Sequence, residues 1–324
     1  MALLESSAID APPAAGRQRG SGKGGTGRRA VGARRQDNIT AYLMIAPMVI
    51  LLGIFVMWPL AYSGYLSFFK INYYTGSKFV GLQFYHDVLT SDEFWHSLWI
   101  GFYYALLVVP IGIVLALLLA SFIKTLSKRV AAFMKVTVYL PAVVSTVIAS
   151  VLFTFMYQDD GVVNWFLSLI NLAPVAWLND PQWALPAIAV PGIWLGFGIT
   201  TLIVLAAMLD IPDSYYESAM LDGANFRQRL FRITIPLLRN VLLYLIVTGF
   251  ALAVQMIDLP LIMTGGGPVD ATTTPNYYIF SQFRSPDPYS RSYALTASLL
   301  LFVVLGLVSI AMFRLIRSDK AVDG

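Results

Sequence analysis

Few residues in this 324-residue chain could do covalent or metal chemistry, and most are excluded by type or spacing. There is no cysteine, so disulfides, thiol catalysis and thiolate metal sites are ruled out. The two histidines, His86 and His96, share one polar stretch and its exit without a patterned acidic partner, too sparse a set for a metal centre. Gly20-Ser-Gly-Lys-Gly-Gly has the look of a phosphate loop. However, position 17 is Arg where glycine is required, position 24 is Gly where Ser or Thr would follow the lysine, and no strand precedes it. No catalytic, metal or nucleotide site is therefore expected in the chain itself. Asp258 is the one acidic residue deep in a long apolar run, a functional candidate by default in a membrane. Hydroxyls, amides and rings that could bind a polar solute are Ser145, Thr146, Trp194, Thr200, Gln255 and Ser298. The competing role for each is interhelical packing, which small and hydroxylated residues also serve in lipid.

The elements that would position these residues are apolar. The composition is 57% hydrophobic and 12% charged, against roughly 25% charged in a soluble domain. The apolar runs are solid rather than alternating, which specifies helices and not a membrane barrel. The fold class is thus an all-α integral membrane protein with six transmembrane helices. They are predicted at about Ala41–Phe68, Trp95–Ile123, Val136–Tyr157, Trp183–Leu209, Leu238–Met263 and Tyr293–Ile316. Pro59, Pro110, Pro141, Pro191 and Pro260 interrupt several of them and favour a packed bundle with an internal path. Residues 1–38 hold almost no large apolar side chains and are expected to be a disordered basic tail. The apolar run after this tail is too long for a signal-peptide core and lacks a small-residue cleavage site, so it is expected to be retained. Residues 39–317 form the membrane domain, and 318–324 a short C-terminal tail.

Lys and Arg orient the chain. Eighteen of the 22 fall in the N-terminal tail, the 124–135 loop, the stretch after the fourth helix and the C-terminal end. Only Lys70, Lys78, Arg284 and Arg291 lie on the other side. Both termini are therefore expected in the cytoplasm, with 70–94, 158–182 and 264–292 outside. Trp165, Trp177, Tyr277, Tyr278 and Phe283 in these outer loops fit an interfacial aromatic belt. Val162–Leu172 reads as a short helix lying in the interface. The basic residues serve as topological markers, so no nucleic-acid partner is expected.

The stretch 210–238 is polar and helix-like between two apolar runs. Asp213 or Ser214 could cap a helix after Pro212, and Tyr215–Leu221 favours helix. Gly223 permits a corner. A basic amphipathic helix is predicted over Asn225–Thr234, ended by Pro236. From these features alone the stretch is either a surface-lying connector near anionic lipid or a docking finger for a cytoplasmic partner.

Glu217-Ser218-Ala219, Asp222-Gly223-Ala224 and Ile233-Thr-Ile-Pro236 together resemble the EAA loop of binding-protein-dependent ABC importer permeases. That pattern is Glu-Ala-Ala, three residues, Gly, about nine residues, then Ile-x-Leu-Pro; Ser218 and Ile235 are small, conservative departures from it. Met263-Thr-Gly-Gly-Gly-Pro268 is similar to a segment of carbohydrate-uptake permeases related to the maltose permease subunits. Ala46-Pro47, Trp58-Pro59, Ser67-Phe68 and Phe79-Val-Gly-Leu-Gln-Phe-Tyr85 add to the resemblance, which covers roughly 40 to 317.

The resemblance implies a type I ABC importer permease-like bundle in a bacterial cytoplasmic membrane, with a cytoplasmic coupling loop at 210–237. Glu217, Ser218, Ala219, Asp222, Gly223 and Ala224 would be its ATPase-coupling residues. The implied partners are a second homologous permease, two ATPase subunits forming a homodimer, and an extracellular or periplasmic sugar-binding protein. No cofactor would be bound by this chain; ATP and magnesium would sit on the ATPase subunits. The cargo would be an oligosaccharide or related neutral carbohydrate. Glycerol 3-phosphate or another polar solute is an alternative; an ion-coupled transporter and a membrane scaffold are others from different classes.

Overall fold

The computed structural model describes residues 42–72 and 76–316. The tail 1–38 with its phosphate-loop-like run, and the tail 318–324, lie outside the described residues. Among the described residues five helices are long and apolar enough to cross a membrane, or six where a bent pair is taken as one span.

The chain divides into the units Met1–Leu60 and Ala61–Gly324. The described part of the first unit belongs to α1 (Tyr42–Leu66), a single apolar helix. It contains a π turn at Gly53–Met57, where the Trp58 amide reaches the Gly53 carbonyl. That turn ends two residues before Pro59. Widening the helix shifts the register in which the proline ring would strike a carbonyl and lack a donor.

The second unit opens with an antiparallel pair, β1 (Phe69–Lys70) and β2 (Lys78–Phe79), in which Phe69 faces Phe79. α2 (Gln83–Leu89) follows. α3 (Asp92–Lys124) starts where the Ser91 side chain accepts the Phe94 amide at 3.3 Å, with Asp92 and Glu93 in its first turn. α4 (Lys128–Val143) and α5 (Thr146–Met156) are bent 91° from each other. Val136–Tyr157 is thus not one straight span. Val144 and Ser145 adopt extended backbone after a β-branched run, and the helix restarts at Thr146. α6 (Val162–Leu169) is the expected short outer helix, stopping before Leu172. Beneath it the buried Asn164 side chain accepts the Val175 amide at 3.0 Å and the Trp177 indole N–H at 3.0 Å.

α7 (Pro181–Leu209) is capped by Asp180, which accepts the Gln182 amide at 2.8 Å. It contains Pro186 and Pro191 yet runs unbroken, as α3 does through Pro110. After the polar segment come α8 (Asp213–Leu221) and α9, which starts at Phe226–Arg229 and continues through a π turn Leu230–Thr234 and a last turn Ile235–Leu237. α10 (Arg239–Val254), α11 (Asp258–Met263), α12 (Pro275–Arg284) and α13 (Pro288–Ile316) complete the chain. At the end of the molecule near α2 and α12, Tyr289 is hydrogen-bonded to the Asp87 carboxylate and the Tyr278 hydroxyl donates to Tyr293 at 3.1 Å. Burial first, and then the Tyr293 hydroxyl, push the Tyr278 phenol above its usual pKa range.

α3 packs most extensively against α7, then against α10. Their contact is close where side chains vanish: a Cβ on Gly198 would strike the Val138 carbonyl of α4, and one on Gly192 would overlap the Tyr104 hydroxyl. The core falls into two clusters. One contains Phe94, Leu98, Tyr104, Ile188, Val254 and Leu259. The other contains Ala116, Ala120, Ile123, Val204, Leu205 and Met208.

In a hydrocarbon interior every backbone carbonyl needs a donor. Pro191 has no amide for the Ala187 carbonyl four residues earlier, and the Tyr157 hydroxyl donates to that oxygen at 3.0 Å. At the break before α11 the Met256 carbonyl, outside any helix, accepts the Thr274 hydroxyl at 2.6 Å. Tyr157→Phe is expected to cost about 1–2 kcal/mol, and Pro191→Ala, which restores an amide, is expected to remove most of that cost. Unfolding in detergent of the two single variants and the double variant measures the coupling; strictly additive effects would refute it.

Candidate partner loop and solute cavity

The polar segment is built as two helices around a glycine corner. α8 begins at Pro212, without the side-chain cap expected from Asp213 or Ser214; Asp213 lies inside the first turn and pairs with Lys124 at 3.4 Å. Past its last turn the Gly223 amide reaches the Met220 carbonyl at 3.1 Å and the Ala224 amide reaches Ala219 at 2.8 Å. This is a Schellman closure, which needs a left-handed residue at its corner. Gly223 supplies it at φ +78°, and since a Cβ there would meet nothing within 4 Å, backbone conformation alone selects glycine.

α9 then starts from a capping box: the Asn225 side chain accepts the Gln228 amide at 2.9 Å, and Gln228 accepts the Asn225 amide at 2.8 Å. Pro236 does not end this helix. The π turn Leu230–Thr234 precedes it by two residues, as at Pro59, and the chain stays helical to Leu237. Leu230 and Thr234 are buried, whereas Glu217, Ser218, Asp222 and Gly223 are exposed and Ala219 and Ala224 half-buried. Leu221, at 90% exposure, projects furthest of the apolar side chains here. The six residues singled out by motif therefore share one projecting surface.

Between the two core clusters α3, α7 and α10 leave a cavity of about 350 Å³. Each helix lines it with a stripe at four-residue spacing: Tyr104, Val108 and Gly112; Gly192, Gly196 and Thr200; Tyr244, Thr248 and Leu252. Small residues make the space, and no charged side chain lines it. The Tyr104 hydroxyl is buried and makes no hydrogen bond. Tyr244 and Leu252, 60% and 71% exposed, form the rim.

The predicted solute residues do not converge on this cavity. Only Thr200 lines it. Trp194 lines an apolar groove with Leu115, Phe122 and Phe197, and its ring lies 5.7 Å from Phe153. Gln255 and Ser298 meet in another recess with Asn276, each bonded to a carbonyl of its own helix. Ser145 and Thr146 sit at the α4–α5 bend, and Asp258 is exposed at the start of α11. Tyr104, Tyr244 and Thr248 carry the cavity's other polar groups, and their signal is the four-residue stripe rather than residue type.

The Thr-Gly-Gly-Gly-Pro stretch is a knot: Thr264 bonds Thr272 at 2.7 Å, the Tyr277 hydroxyl donates to the Gly265 carbonyl at 2.6 Å, and Asn276 donates to Gln255 at 2.8 Å. A side chain on Gly266 (φ +85°) would strike Tyr277 and Thr273. His96 lies 3.3 Å from the Asp270 carbonyl and His86 3.7 Å from the Asp87 carboxylate. Among the described residues no group of three His, Cys, Asp or Glu could hold a metal.

Comparison with known proteins matches this architecture. The chain is 31% identical over 285 residues to the sulfoquinovosyl glycerol transport system permease protein SmoG of Agrobacterium fabrum, covering 87% of this chain and 92% of SmoG. It is 32% identical over 250 residues to the trehalose/maltose transport system permease protein MalF of Thermococcus litoralis, covering 76% and 84% of the two chains. A chain of a bacterial ABC transporter that imports the acidic polysaccharide alginate shares the fold, with a TM-score of 0.73 at 24% identity over 90% of this chain and 99% of that one. The family model for the binding-protein-dependent transport system inner membrane component matches residues 108–321, which takes in the second half of α3, α7, α10 and the whole polar segment. The chain is a multi-pass inner-membrane protein and belongs to that family.

Proposed function

We propose that this chain is the permease subunit through which an ATP-driven importer moves a neutral sugar or oligosaccharide into the cytoplasm. The carrying observation is the segment 213–237: a rigid helix–corner–helix unit whose Glu217–Ala224 surface projects free of its own bundle. In this reading α8 seats in a groove of one ATPase subunit, and a second, homologous permease completes the pathway. ATP and magnesium are held by a pair of ATPase subunits, and a binding protein delivers the solute from outside. The Lys and Arg distribution supports cytoplasmic termini and a cytoplasmic α8. Rigid-body motion of the docked helix would switch the bundle between its two facing states, because ATP favours the state to which the docked subunits bind better.

The cargo follows from the cavity and the relatives' names. Two named relatives serve a sulfoquinovosyl glycerol system and a trehalose/maltose system. The cavity wall is largely apolar, with the hydroxyls of Tyr104, Thr200, Tyr244 and Thr248 and no cation, which suits a neutral hydroxylated solute and disfavours glycerol 3-phosphate. Tyr104 holds a hydroxyl that the fold leaves unbonded, at a cost of about 1–3 kcal/mol; a solute hydroxyl entering the cavity would satisfy it.

Reconstitution with its ATPase and binding protein, scored by which sugars stimulate ATP hydrolysis, tests the whole reading; stimulation by none of them would refute it. Gly223→Val and Glu217→Lys are expected to abolish uptake while the protein stays in the membrane, and normal uptake in both would remove the coupling role. Tyr104→Phe is expected to keep or raise thermal stability while lowering sugar-stimulated uptake about three- to tenfold. Unchanged uptake would take Tyr104 off the pathway.

A further inference from the structure

Lys124, the last residue of α3, stands where that helix meets α7 and α8. Its ammonium donates to the Met208 carbonyl of α7 at 3.2 Å, lies 3.4 Å from the Asp213 carboxylate of α8, and sits 4.2 Å from the ring centre of Tyr216, also on α8. The Met208 carbonyl needs an outside donor because it lies in the last turn of α7, which ends at Leu209, so no helical amide reaches it. The Tyr216 hydroxyl continues the chain of contacts to Thr234 at 3.1 Å, and the Thr234 hydroxyl donates to the Arg229 carbonyl at 3.3 Å. One cation thus ties the ends of α3 and α7 to α8, and through Tyr216 to the π turn that leads into α10.

The contacts are unequal. Asp213 is 79% exposed, so its ion pair is screened and weak. Lys124 is only 22% exposed, and the aromatic face and the carbonyl hold it with less competition from bulk water. A cavity of about 220 Å³ lies beside them, lined by Lys124, Tyr216, Arg229 and Thr234. It leaves α8 room to tilt on this contact instead of moving as one block with the bundle.

We propose that Lys124, held on the Tyr216 ring and the Met208 carbonyl, is the positioning residue that transmits movement of α8 to α3 and α7. The inference rests on the reading of 213–237 as the ATPase-coupling element and names the joint through which that element acts. Without the joint α8 would still dock, but its movement would be lost in the cavity.

The test uses the assembled transporter in proteoliposomes, with solute uptake and ATP hydrolysis measured on the same preparation. Lys124→Met and Tyr216→Leu are expected to retain the ATPase subunits on purification and to lower solute moved per ATP hydrolysed about three- to tenfold. Lys124→Arg, which keeps the charge over the ring, is expected to restore the ratio. A wild-type ratio in Lys124→Met overturns the proposal, as does loss of the ATPase subunits from that variant, which would make Lys124 a docking or folding residue. Gly223→Val in the same assay separates the two levels: normal uptake there sinks the coupling reading itself, whereas lost uptake beside a normal Lys124→Met sinks only the joint.

Discussion

A proline inside a membrane helix leaves a carbonyl four residues earlier without its donor, and this chain is arranged around meeting that demand. Water cannot meet it in the hydrocarbon region, so the protein must. Two solutions recur. At Pro59 and Pro236 the helix widens into a π turn that ends two residues before the ring. At Pro191 a side chain from elsewhere donates instead, Tyr157 to Ala187, and the same device serves carbonyls left open at a helix end or break: Lys124 to Met208, and Thr274 to Met256. The first solution is local and absorbs the defect within one helix. The second converts the defect into a tertiary tie, and such ties join α5 to α7, α3 to α7, and α12 to the break after α10.

These ties differ in chemistry, and the difference suits their surroundings. Tyr157 and Thr274 offer neutral hydroxyls within the packed cluster that also holds Leu185, Ile188 and Leu259. Lys124 offers a charge at the polar end of the bundle, where an aromatic face and partial water contact offset its desolvation. A neutral tie fixes a distance between two helices. A cation on a ring can pivot while keeping most of its attraction, because the ring presents a face and not a single lone pair. The fixed ties therefore brace the bundle, and the cation–ring contact sits where, in the proposed coupling, α8 joins it.

Much of this was legible in the sequence, for identifiable reasons. Solid apolar runs and the clustering of Lys and Arg carry the spans, since both follow from transfer energies that depend on composition alone. The Glu217–Pro236 pattern and Gly223 carry the corner, because a left-handed residue is a local requirement. Asn225-Phe-Arg-Gln228 spells a capping box that is equally local. The α4–α5 bend is weaker in the sequence: Val143-Val-Ser-Thr146 lowers helix propensity, but hydropathy runs straight through it. Partners of the orphaned carbonyls are not legible, as they lie 18 to 84 residues away and only packing brings them close.

The α3–α7–α10 cavity is defined by residue spacing more than by residue type. Gln255 and Ser298 are polar, yet each bonds its own helix and is turned away from the α3–α7–α10 junction. Gly112, Gly192, Gly196 and Gly249 have no functional groups, yet their absent side chains create the space. What makes the site is the four-residue stripe, which puts small residues and hydroxyls on one face of each of three helices. Gly192 lets Tyr104 press against α7, and among the described residues the Tyr104 hydroxyl is the buried side-chain polar atom that no hydrogen bond reaches. The unmet polar group thus stands at the wall of the α3–α7–α10 cavity, where, in the proposed transport, a hydroxylated solute would meet it.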